Sequence, residues 1–368
     1  MLLNNFLGVD EKLKISFYTS WNIKCGIADY SARFKSALED VGISVAIIPV
    51  GSKKGLLNIK HLGKMMNEAD IAHIQHEFSF FANAFFICSF VHCAIFLRQI
   101  KIPKVLTVHE VAPLGERLSR FPFLRLYRTI FALVDLIIVH TEKHRMMILE
   151  MGVPESKVIN LSHPVPEVKL PVETKKNYKK LFGVDRKNVL TVFGFPNRRK
   201  GYELVLDAIQ DLDDCIFFIA GGQHPNDRTG YIEQLKNKIL LMNLEHKVKI
   251  LGYLQEADIP AVMGATDIVL APFCDMPGSG SLSLGIAYHK PIIGSDIEQM
   301  QELKSRGVGI ELFQKNKKGD LREKIVFLLH DIQRQSELER HTIAYAQEYS
   351  YGKTAAKFLE LYSKLLRN

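Results

Sequence analysis

The sequence predicts an α/β protein made of two doubly wound domains. Its 368 residues exceed what one compact core usually serves. Short apolar runs alternate with helical patterns along the chain, which is typical of βαβ units around a parallel sheet. Residues 164–180 interrupt this alternation with three prolines, several lysines and little apolar content, as a linker does. We therefore expect the ligand site in a cleft between two domains.

The first domain is predicted to begin with a strand at residues 12–19 and a helix at 31–40. Its further strands are expected at residues 44–50, 71–75, 104–108, 133–140 and 157–161. The run at 78–97 carries no charge and is long enough to span a bilayer. Because polar side chains interrupt it and two strands flank it, a buried helix is the favoured interpretation. Beyond the linker, strands are predicted at residues 189–193, 216–220, 248–251, 268–271 and 290–294.

Composition excludes several classes of protein. A hydrophobic share of 47% and a charged share of 24% exclude a disordered or fibrous chain. The five cysteines are scattered without a CxxC pair, which argues for reduced thiols in a cytoplasmic protein and against a zinc site. The first ten residues lack the basic region of a signal peptide, so a cytoplasmic location is expected. No motif indicates binding to nucleic acid.

Much of the net charge of +8 comes from residues 98–128, where seven basic side chains outnumber two acidic ones. On a helical wheel, residues 117–134 bring two apolar residues and four arginines to one side: Phe121, Leu124, Arg117, Arg120, Arg125 and Arg128. This mixture is typical of a helix that rests on an anionic membrane. A solvated helix whose arginine stems cover the domain surface explains it equally well. Both interpretations stay open.

Residues 271–296 are predicted to form the loop around which the second domain binds its ligand. They follow a buried strand and contain a small-residue loop at 277–281, a helix at 282–288 and a further strand. Glycines allow close approach of the backbone, and the first N–H groups of a helix favour an anion such as phosphate. On the loop alone, a plain βα turn with Ser281 as N-cap is an equal alternative.

Four further loops lie at the predicted carboxyl ends of strands, where ligands of such domains bind. The cations Arg198, Arg199 and Lys200 follow the first strand of the second domain and suit a diphosphate. The other loops are residues 25–29, 75–77 and 109–110. They lack the GxGxxG fingerprint and the HExxH spacing, so neither a dinucleotide cofactor nor a metal is expected. The absence of a GxSxG elbow argues against a hydrolase.

Together these segments resemble the GT-B glycosyltransferases, specifically the retaining glycosyltransferase family four (glycosyl transferases group one). The resemblance covers nearly the whole chain, and it rests on the order and spacing of motifs more than on any one of them. The matching segments are GIADYS at 26–31, DIAHIQHEF at 70–78, VLTVHE at 105–110, VFGFPNRRKGYELVLDAI at 192–209, FIAGG at 218–222 and residues 139–165, 249–273, 278–296 and 348–366.

The resemblance implies a division of the chain into two Rossmann-like domains with a helix that crosses back. An acceptor-side domain would span residues 1–168 and a linker residues 169–187. The nucleotide-sugar domain would span residues 188–345. Residues 346–368 would form the closing helix that returns to the first domain.

The resemblance also implies roles for individual residues. His109 would contact the donor sugar near the reacting centre, and Gly26 with Ile27 would lie against the donor sugar and diphosphate. Lys200, with Arg198 and Arg199, would bind the diphosphate. Backbone near Tyr253 and Leu254 would face the nucleobase. The phosphate or sugar would also meet the small-residue loop: Gly278, Ser279, Gly280, Ser281 and Leu282.

Two departures from the family pattern matter. The family often carries two glutamates around the small-residue loop, where this chain has Met276 and Leu284. It also often has an arginine where this chain has Phe195. A branch of the family with a Ser-Gly-Ser/Thr-Leu loop fits better, and this chain reads SGSL at 279–282. The departures leave open how the donor hydroxyls are held.

The function expected from the resemblance is that of a retaining hexosyltransferase. It would move a sugar from a UDP- or GDP-linked donor to a glycan or lipid-linked acceptor, without a metal or cofactor. The enzyme would be cytoplasmic, with a possible peripheral position on the inner face of the plasma membrane. The alternatives are a nucleotide-sugar epimerase on the same fold and a non-catalytic partner that binds nucleotide sugars or glycans.

Overall fold

The computed structural model describes residues 12–23, 25–51, 55–81, 86–109, 111, 122–223, 227–274 and 280–367. The chain forms two compact units. The first contains Met1–Ser162 and Tyr351–Asn368, and the second is the continuous stretch His163–Ser350. Each unit is built around its own parallel sheet.

The first unit contains a six-stranded parallel sheet in the order β2-β1-β3-β4-β5-β6. Its strands are β1 Lys14–Thr19, β2 Ser44–Pro49, β3 Ile71–His76, β4 Lys104–Val108, β5 Leu136–Val139 and β6 Val158–Asn160. The helices between them are α1 Gly26–Asp40, α2 Leu56–Met65, α3 Phe86–Gln99, α4 Pro122–Ala132 and α5 Glu142–Glu150. The strand order reverses between β1 and β3, so the loops after these strands open a crevice for a ligand.

Alternation along each strand supplies two hydrophobic clusters to the first unit. On β1, for example, Tyr18 belongs to one cluster, whereas Ile15 and Phe17 belong to the other. Both faces of the sheet are therefore covered, which explains why its strands are apolar throughout. The first cluster includes residues of α2, α3 and α4, and the second includes residues of α1.

The second unit contains a six-stranded parallel sheet in the order β12-β11-β10-β7-β8-β9. Its strands are β7 Asn188–Phe193, β8 Cys215–Ala220, β9 Val248–Ile250, β10 Ile268–Ala271, β11 Ile292–Ser295 and β12 Ile310–Phe313. Its helices are α6 Lys175–Leu181, α7 Tyr202–Ile209, α8 Tyr231–Leu241, α9 Ile259–Ala265, α10 Gly280–Ala287, α11 Glu298–Ser305, α12 Asp320–His330 and α13 Ile332–Glu348. The order reverses between β7 and β10, which are hydrogen-bonded neighbours.

The last helix, α14 at Tyr351–Arg367, belongs to the first unit. Its buried residues recur at helical spacing and pack on α1, where the rings of Phe34 and Phe358 lie 4.8 Å apart. The hydroxyl of Tyr362 reaches His73 on β3. The amphipathic pattern of α14 thus closes one face of the first sheet.

The stretch expected to be a linker is partly a folded element of the second unit. Within residues 169–187, α6 packs on α9, and a Cβ at Gly264 would collide with the Tyr178 ring. The ammonium of Lys179 pairs with Asp267 at 2.5 Å. A lysine-rich segment that looks solvated in sequence therefore presents one buried face to its neighbour.

Other predicted boundaries shift by a few residues. Helix α1 begins at Gly26 and not at residue 31, so the expected loop at 25–29 is largely the first turn of a helix. The apolar run at 133–140 divides into a turn and strand β5, because Leu133 and Val134 connect α4 to the sheet. The uncharged run at 78–97 ends in α3, and among the described residues no helix is long and apolar enough to cross a membrane.

Candidate functional site

In the second unit, most of the predicted site residues lie where the strand order of the sheet reverses. Strands β7 and β10 run side by side, and their carboxyl ends lead into residues 194–201 and 272–274. At this point of a doubly wound sheet the two following loops diverge to opposite faces and leave a crevice. The cations and the start of α10 therefore reach the same edge of the sheet.

The cationic turn, residues 197–201, is shaped by its own side chains and by the neighbouring strand. The Asn197 carboxamide oxygen accepts a hydrogen bond from the backbone N–H of Arg199 at 3.0 Å. Gly201 closes the turn at φ 65°, and a Cβ there would collide with the carbonyl oxygen of Pro272. The backbone N–H of Cys274 donates to the carbonyl of Arg199 at 2.7 Å. The turn is thus tied to the segment that leads toward α10.

Lys200 is half-buried and places its ammonium at this edge. Its Nζ donates to the carbonyl of Phe193 at 2.7 Å and lies 5.5 Å from the centre of the Phe273 ring. Burial lowers the pKa of Lys200 to about 7, because the charged amine loses its hydration. A bound anion would restore the charge, so the group is suited to a diphosphate.

The two arginines of the cationic turn differ from Lys200. The Arg198 guanidinium donates to the Gln234 side chain at 2.5 Å and lies 5.7 Å from the centre of the Tyr231 ring. Arg198 is therefore engaged by α8 in this structure, although the sequence predicted a diphosphate contact. Arg199 is exposed, and its backbone supports the turn.

The small-residue loop is only partly described. Gly278, Ser279 and Met276 lie outside the described residues, and so does the side chain of Ser281. Gly280 is exposed at the start of α10, whereas Leu282 is buried in a hydrophobic cluster. Leu284, which stands at a glutamate position of the family pattern, packs against the same cluster. The described part of α10 therefore offers backbone N–H groups and no carboxylate.

Three loops lie close together around the residues that are expected near the nucleobase. A Cβ at Gly221 would collide with the carbonyl oxygen of Gly194, and one at Gly222 would lie 2.7 Å from the backbone nitrogen of Tyr253. The rings of Phe195 and Tyr253 are stacked with centroids 6.0 Å apart. Sequence reasoning assigned no role to Gly221 and Gly222, although the paired glycines directly after β8 were a signal of this close approach.

In the first unit, the predicted residues His109 and Gly26 follow β4 and β1. The ring of His109 lies 5.0 Å from Tyr30 of α1 and 5.3 Å from His140. Gly26 is the exposed first residue of α1, and a Cβ there would meet nothing within 4 Å. Ile27 is half-buried against a hydrophobic cluster. Gly26 therefore leaves room for a ligand, whereas Ile27 mainly packs.

The buried side chain of Gln75 on β3 contacts His109 and leads on to His73, and sequence reasoning did not single out His73 or assign Gln75 a role. Nε2 of His109 lies 2.5 Å from Oε1 of Gln75. Burial lowers the pKa of His76 and of His140 to about 4, so both rings are neutral at physiological pH. The signal in the sequence was the spacing of His73 and Gln75, which puts both on one face of a strand.

The histidines do not form a metal centre within the part of the chain that the structure describes. There, no group of three or more His, Cys, Asp or Glu side chains is placed to hold an ion. Glu110 lies outside the described residues.

The fold matches a known architecture. Two doubly wound six-stranded sheets are the architecture of the GT-B glycosyltransferases. The crystal structure of Anabaena HepE in complex with UDP and glucose superimposes with a TM-score of 0.76, covering 96% of this chain and 100% of that one. The sequence identity is 17%, so this likeness establishes the fold.

Sequence comparison adds a resemblance to one family. Residues 186–331 match the glycosyl transferases group 1 model. The N,N'-diacetylbacillosaminyl-diphospho-undecaprenol alpha-1,3-N-acetylgalactosaminyltransferase of Campylobacter jejuni is 24% identical over 91% of this chain and 89% of its own. An uncharacterized glycosyltransferase of Methanocaldococcus jannaschii is 24% identical over 45% of each chain. The predicted resemblance to group 1 glycosyltransferases is confirmed, whereas retention and family four stay predictions.

Proposed function

We propose that this protein transfers a hexose-type sugar from a nucleotide-diphosphate sugar to a hydroxyl of a glycan or lipid-linked acceptor, with retention and without a metal ion. The observation that carries the proposal is the cationic turn, which hydrogen-bonds the segment leading to α10 where the strand order of the second sheet reverses. This edge joins a buried ammonium to the N-terminus of a helix, and both favour a diphosphate.

Similar proteins support the choice of donor. The Anabaena structure contains UDP and glucose, and the Campylobacter jejuni relative is named as an N-acetylgalactosaminyltransferase. We therefore favour a UDP-linked hexose, and a GDP-linked sugar remains the second donor to test. We propose that no cofactor takes part and that the nucleotide sugar is a substrate.

The mechanism that we propose relies on positioning and on stabilising the charge of the leaving group. The acceptor hydroxyl would attack on the face from which the diphosphate departs, and a diphosphate oxygen would take its proton. The ammonium of Lys200 and the first N–H groups of α10 would stabilise the departing charge. His109 would orient the sugar. This route needs no pair of carboxylates like that of glycosidases.

The acceptor that we favour is linked to a lipid, because the Campylobacter jejuni relative is named for a diphospho-undecaprenol acceptor. Helices α2, α3 and α4 pack side by side in the first unit and contain no aspartate or glutamate. They expose Leu57, which is 83% accessible, and Val91, which is 46% accessible, beside several cations. A surface of cations and apolar groups suits an anionic bilayer.

The structure changes which arginines could contact that bilayer. Nε of Arg128 donates to the carbonyl of Met151, and the guanidinium lies against Gly152. Arg128 therefore stabilises the end of α5. Arg125 and Arg98 are exposed on α4 and α3. Arg117, Arg120 and Phe121 lie outside the described residues, as does the side chain of Leu124.

The test is an assay of the purified protein with UDP, GDP and ADP sugars, with and without a bacterial lipid extract. We expect the sugar to be transferred to lipid at a rate that EDTA does not lower. NMR should show that the anomeric configuration of the product equals that of the donor. A product of inverted configuration would refute retention. Turnover of donor without acceptor would instead indicate the epimerase.

One observation favours a second candidate, a non-catalytic partner. Leu284 packs in a hydrophobic cluster where the family often carries a glutamate. If nucleotide sugars bind but none is turned over with any acceptor extract, this alternative replaces the transferase.

A further inference from the structure

A chain of polar side chains crosses the otherwise hydrophobic core of the first unit and ends at His109. Nδ1 of His73 lies 2.5 Å from the hydroxyl of Tyr362 on α14. Nε2 of the same ring lies 3.3 Å from Nε2 of Gln75. Oε1 of Gln75 lies 2.5 Å from Nε2 of His109. His73, Gln75 and Tyr362 are fully buried, so the chain is shielded from water.

We propose that Tyr362, His73 and Gln75 are positioning residues that hold the His109 ring in one orientation and in one neutral tautomer, with the proton on Nε2. Their effect on catalysis rests on the proposed function, whereas the tautomer of His109 does not. No role for these three residues followed from the sequence motifs.

The direction of the chain follows from the amide of Gln75. An amide nitrogen only donates, so Nε2 of His73 must accept from Gln75. The hydroxyl of Thr107, 2.8 Å from that same nitrogen, donates to it as well. Burial lowers the pKa of His73 to about 3, so its ring is neutral and has one acceptor and one donor. The donor is then Nδ1, whose proton goes to the Tyr362 hydroxyl.

The same amide determines which ring nitrogen of His109 carries the proton. The carboxamide oxygen of Gln75 only accepts, so Nε2 of His109 carries a proton, and in the neutral ring that we propose Nδ1 then carries the lone pair. A ring with this tautomer presents Nδ1 as an acceptor for a hydroxyl, which is the chemistry needed to orient a sugar. A reversed amide of Gln75 would reverse every donor in the chain and would put the His109 proton on Nδ1. The two orders therefore predict opposite tautomers.

Packing explains why the chain is rigid. The ring of His73 stacks on Phe358 of α14 with centroids 5.4 Å apart and meets Phe17 of β1 at 5.1 Å. The ring cannot turn without displacing these neighbours, since cores are close-packed. A hydrogen-bonded chain that is fully satisfied in a low-dielectric interior favours one arrangement. The hydroxyl of Tyr362 on α14 can therefore influence the tautomer of His109 through His73 and Gln75.

The direct test is nitrogen-15 NMR of the whole protein labelled at histidine, with His109→Gln used to assign the His109 signals. Long-range proton–nitrogen spectra distinguish protonated from unprotonated ring nitrogens. We expect His109 in one neutral tautomer with Nε2 protonated, and a mixture of tautomers in Gln75→Leu. Two tautomers in the unchanged protein, or a proton on Nδ1, would overturn the inference. This measurement does not depend on finding a substrate.

The second test uses kinetics once a donor and acceptor are known. Tyr362→Phe keeps the ring and removes only the hydroxyl, so we expect kcat to fall about 2- to 10-fold, the equivalent of one hydrogen bond. The KM for the donor should stay unchanged. Tyr345→Phe, in a buried tyrosine of α13, is the matched control and should leave both constants unchanged. An unchanged kcat in Tyr362→Phe would overturn the proposed role of these positioning residues. If no transfer is found with any substrate, the NMR measurement still tests the tautomer of His109.

Discussion

At the scale of a single residue, we expect the amine of Lys200 to contribute strongly to donor affinity. Replacing it by alanine removes a charge-assisted hydrogen bond to the diphosphate. Nucleotide-diphosphate affinity should fall by roughly 1.5–3 kcal/mol, the range for hydrogen bonds to charged groups. Isothermal titration calorimetry with UDP measures this. Arg340→Ala, at an exposed cation of α13, is the control, and an equal affinity in Lys200→Ala would remove Lys200 from the site.

The pKa of Lys200 also predicts how binding depends on pH. Burial lowers this pKa to about 7, and a bound diphosphate would raise it again. Below pH 7 the amine is already charged, whereas above pH 7 it must take up a proton on binding. UDP affinity should therefore fall as pH rises from 7, by at most about tenfold per pH unit. Calorimetry in two buffers of different ionisation enthalpy should detect the proton uptake at pH 8, and Lys200→Ala should abolish it.

His109 should separate catalysis from binding. His109→Ala removes the group that we place at the sugar while leaving the second unit unchanged. We expect transfer to drop by about 100-fold or more, the range for losing an oriented catalytic group, with UDP affinity within about twofold. Initial rates and calorimetry on the same sample test both parts. Wild-type turnover in this variant would make His109 a packing residue.

At the scale of an element, the cationic turn depends on Gly201 for two reasons. Its φ of 65° disfavours a side chain, and a Cβ would also strike Pro272. Gly183 has the same φ and nothing within 4 Å of a Cβ, so Gly183→Ala measures the conformational cost alone. We expect Gly183→Ala to cost about 1 kcal/mol. Gly201→Ala should cost more and should weaken UDP binding.

Thermal unfolding with and without UDP distinguishes these effects. In Gly183→Ala, the stabilisation by UDP should match that of the unchanged protein, because bound ligand stabilises by mass action. In Gly201→Ala it should shrink. If both variants lose stability equally and bind UDP equally, the contact between the cationic turn and Pro272 is not what shapes the site.

The surface formed by α2, α3 and α4 is predicted to bind anionic membranes. The double variant Arg98→Glu with Arg125→Glu should reduce binding to vesicles that contain phosphatidylglycerol, because each cation near an anionic surface contributes about 1 kcal/mol. Sedimentation at low and high salt measures this. The control is Arg322→Glu with Arg340→Glu, which changes the net charge equally at exposed sites of the second unit. No binding at low salt would leave these cations as a solvated face.

At the scale of the whole molecule, the first unit is discontinuous in sequence and the second is continuous. A chain that ends at Ser350 lacks α14, whose Phe358 and Tyr362 are fully buried in the first unit. Each such side chain contributes about 2–3 kcal/mol by burial, against a typical domain stability of about 5–15 kcal/mol. We therefore expect the first unit to unfold and the second to keep binding UDP.

Trp21 is the single tryptophan and lies in the first unit, so its fluorescence reports that unit alone. In urea, the full-length chain should show a cooperative Trp21 transition, and the truncated chain should show none. Calorimetry with UDP reports the second unit in the same samples. A Trp21 transition with an unchanged midpoint after truncation would contradict the role of α14.

The boundaries of elements show the limit of local patterns. Residues 25–29 looked like a ligand loop, and from Gly26 onward they form the first turn of α1. Residues 169–187 looked like a linker, yet α6 buries Tyr178 and Lys179 against its neighbours. Hydrophobic spacing reports which side chains are buried. It does not report whether a polar segment finds a partner to pack on, since that partner lies elsewhere in the chain.

The sequence by itself determined the two α/β units, the order of most strands and helices, and the loops that carry His109 and Lys200, because these follow from periodicity within a few residues. Only the tertiary structure decided the contacts within the sites. Gln75 meets His109 across 34 residues of chain, Arg198 meets Gln234 across 36, and His73 meets Tyr362 across 289. Such pairs depend on which strands become neighbours and on the path of the last helix, and no local pattern encodes either.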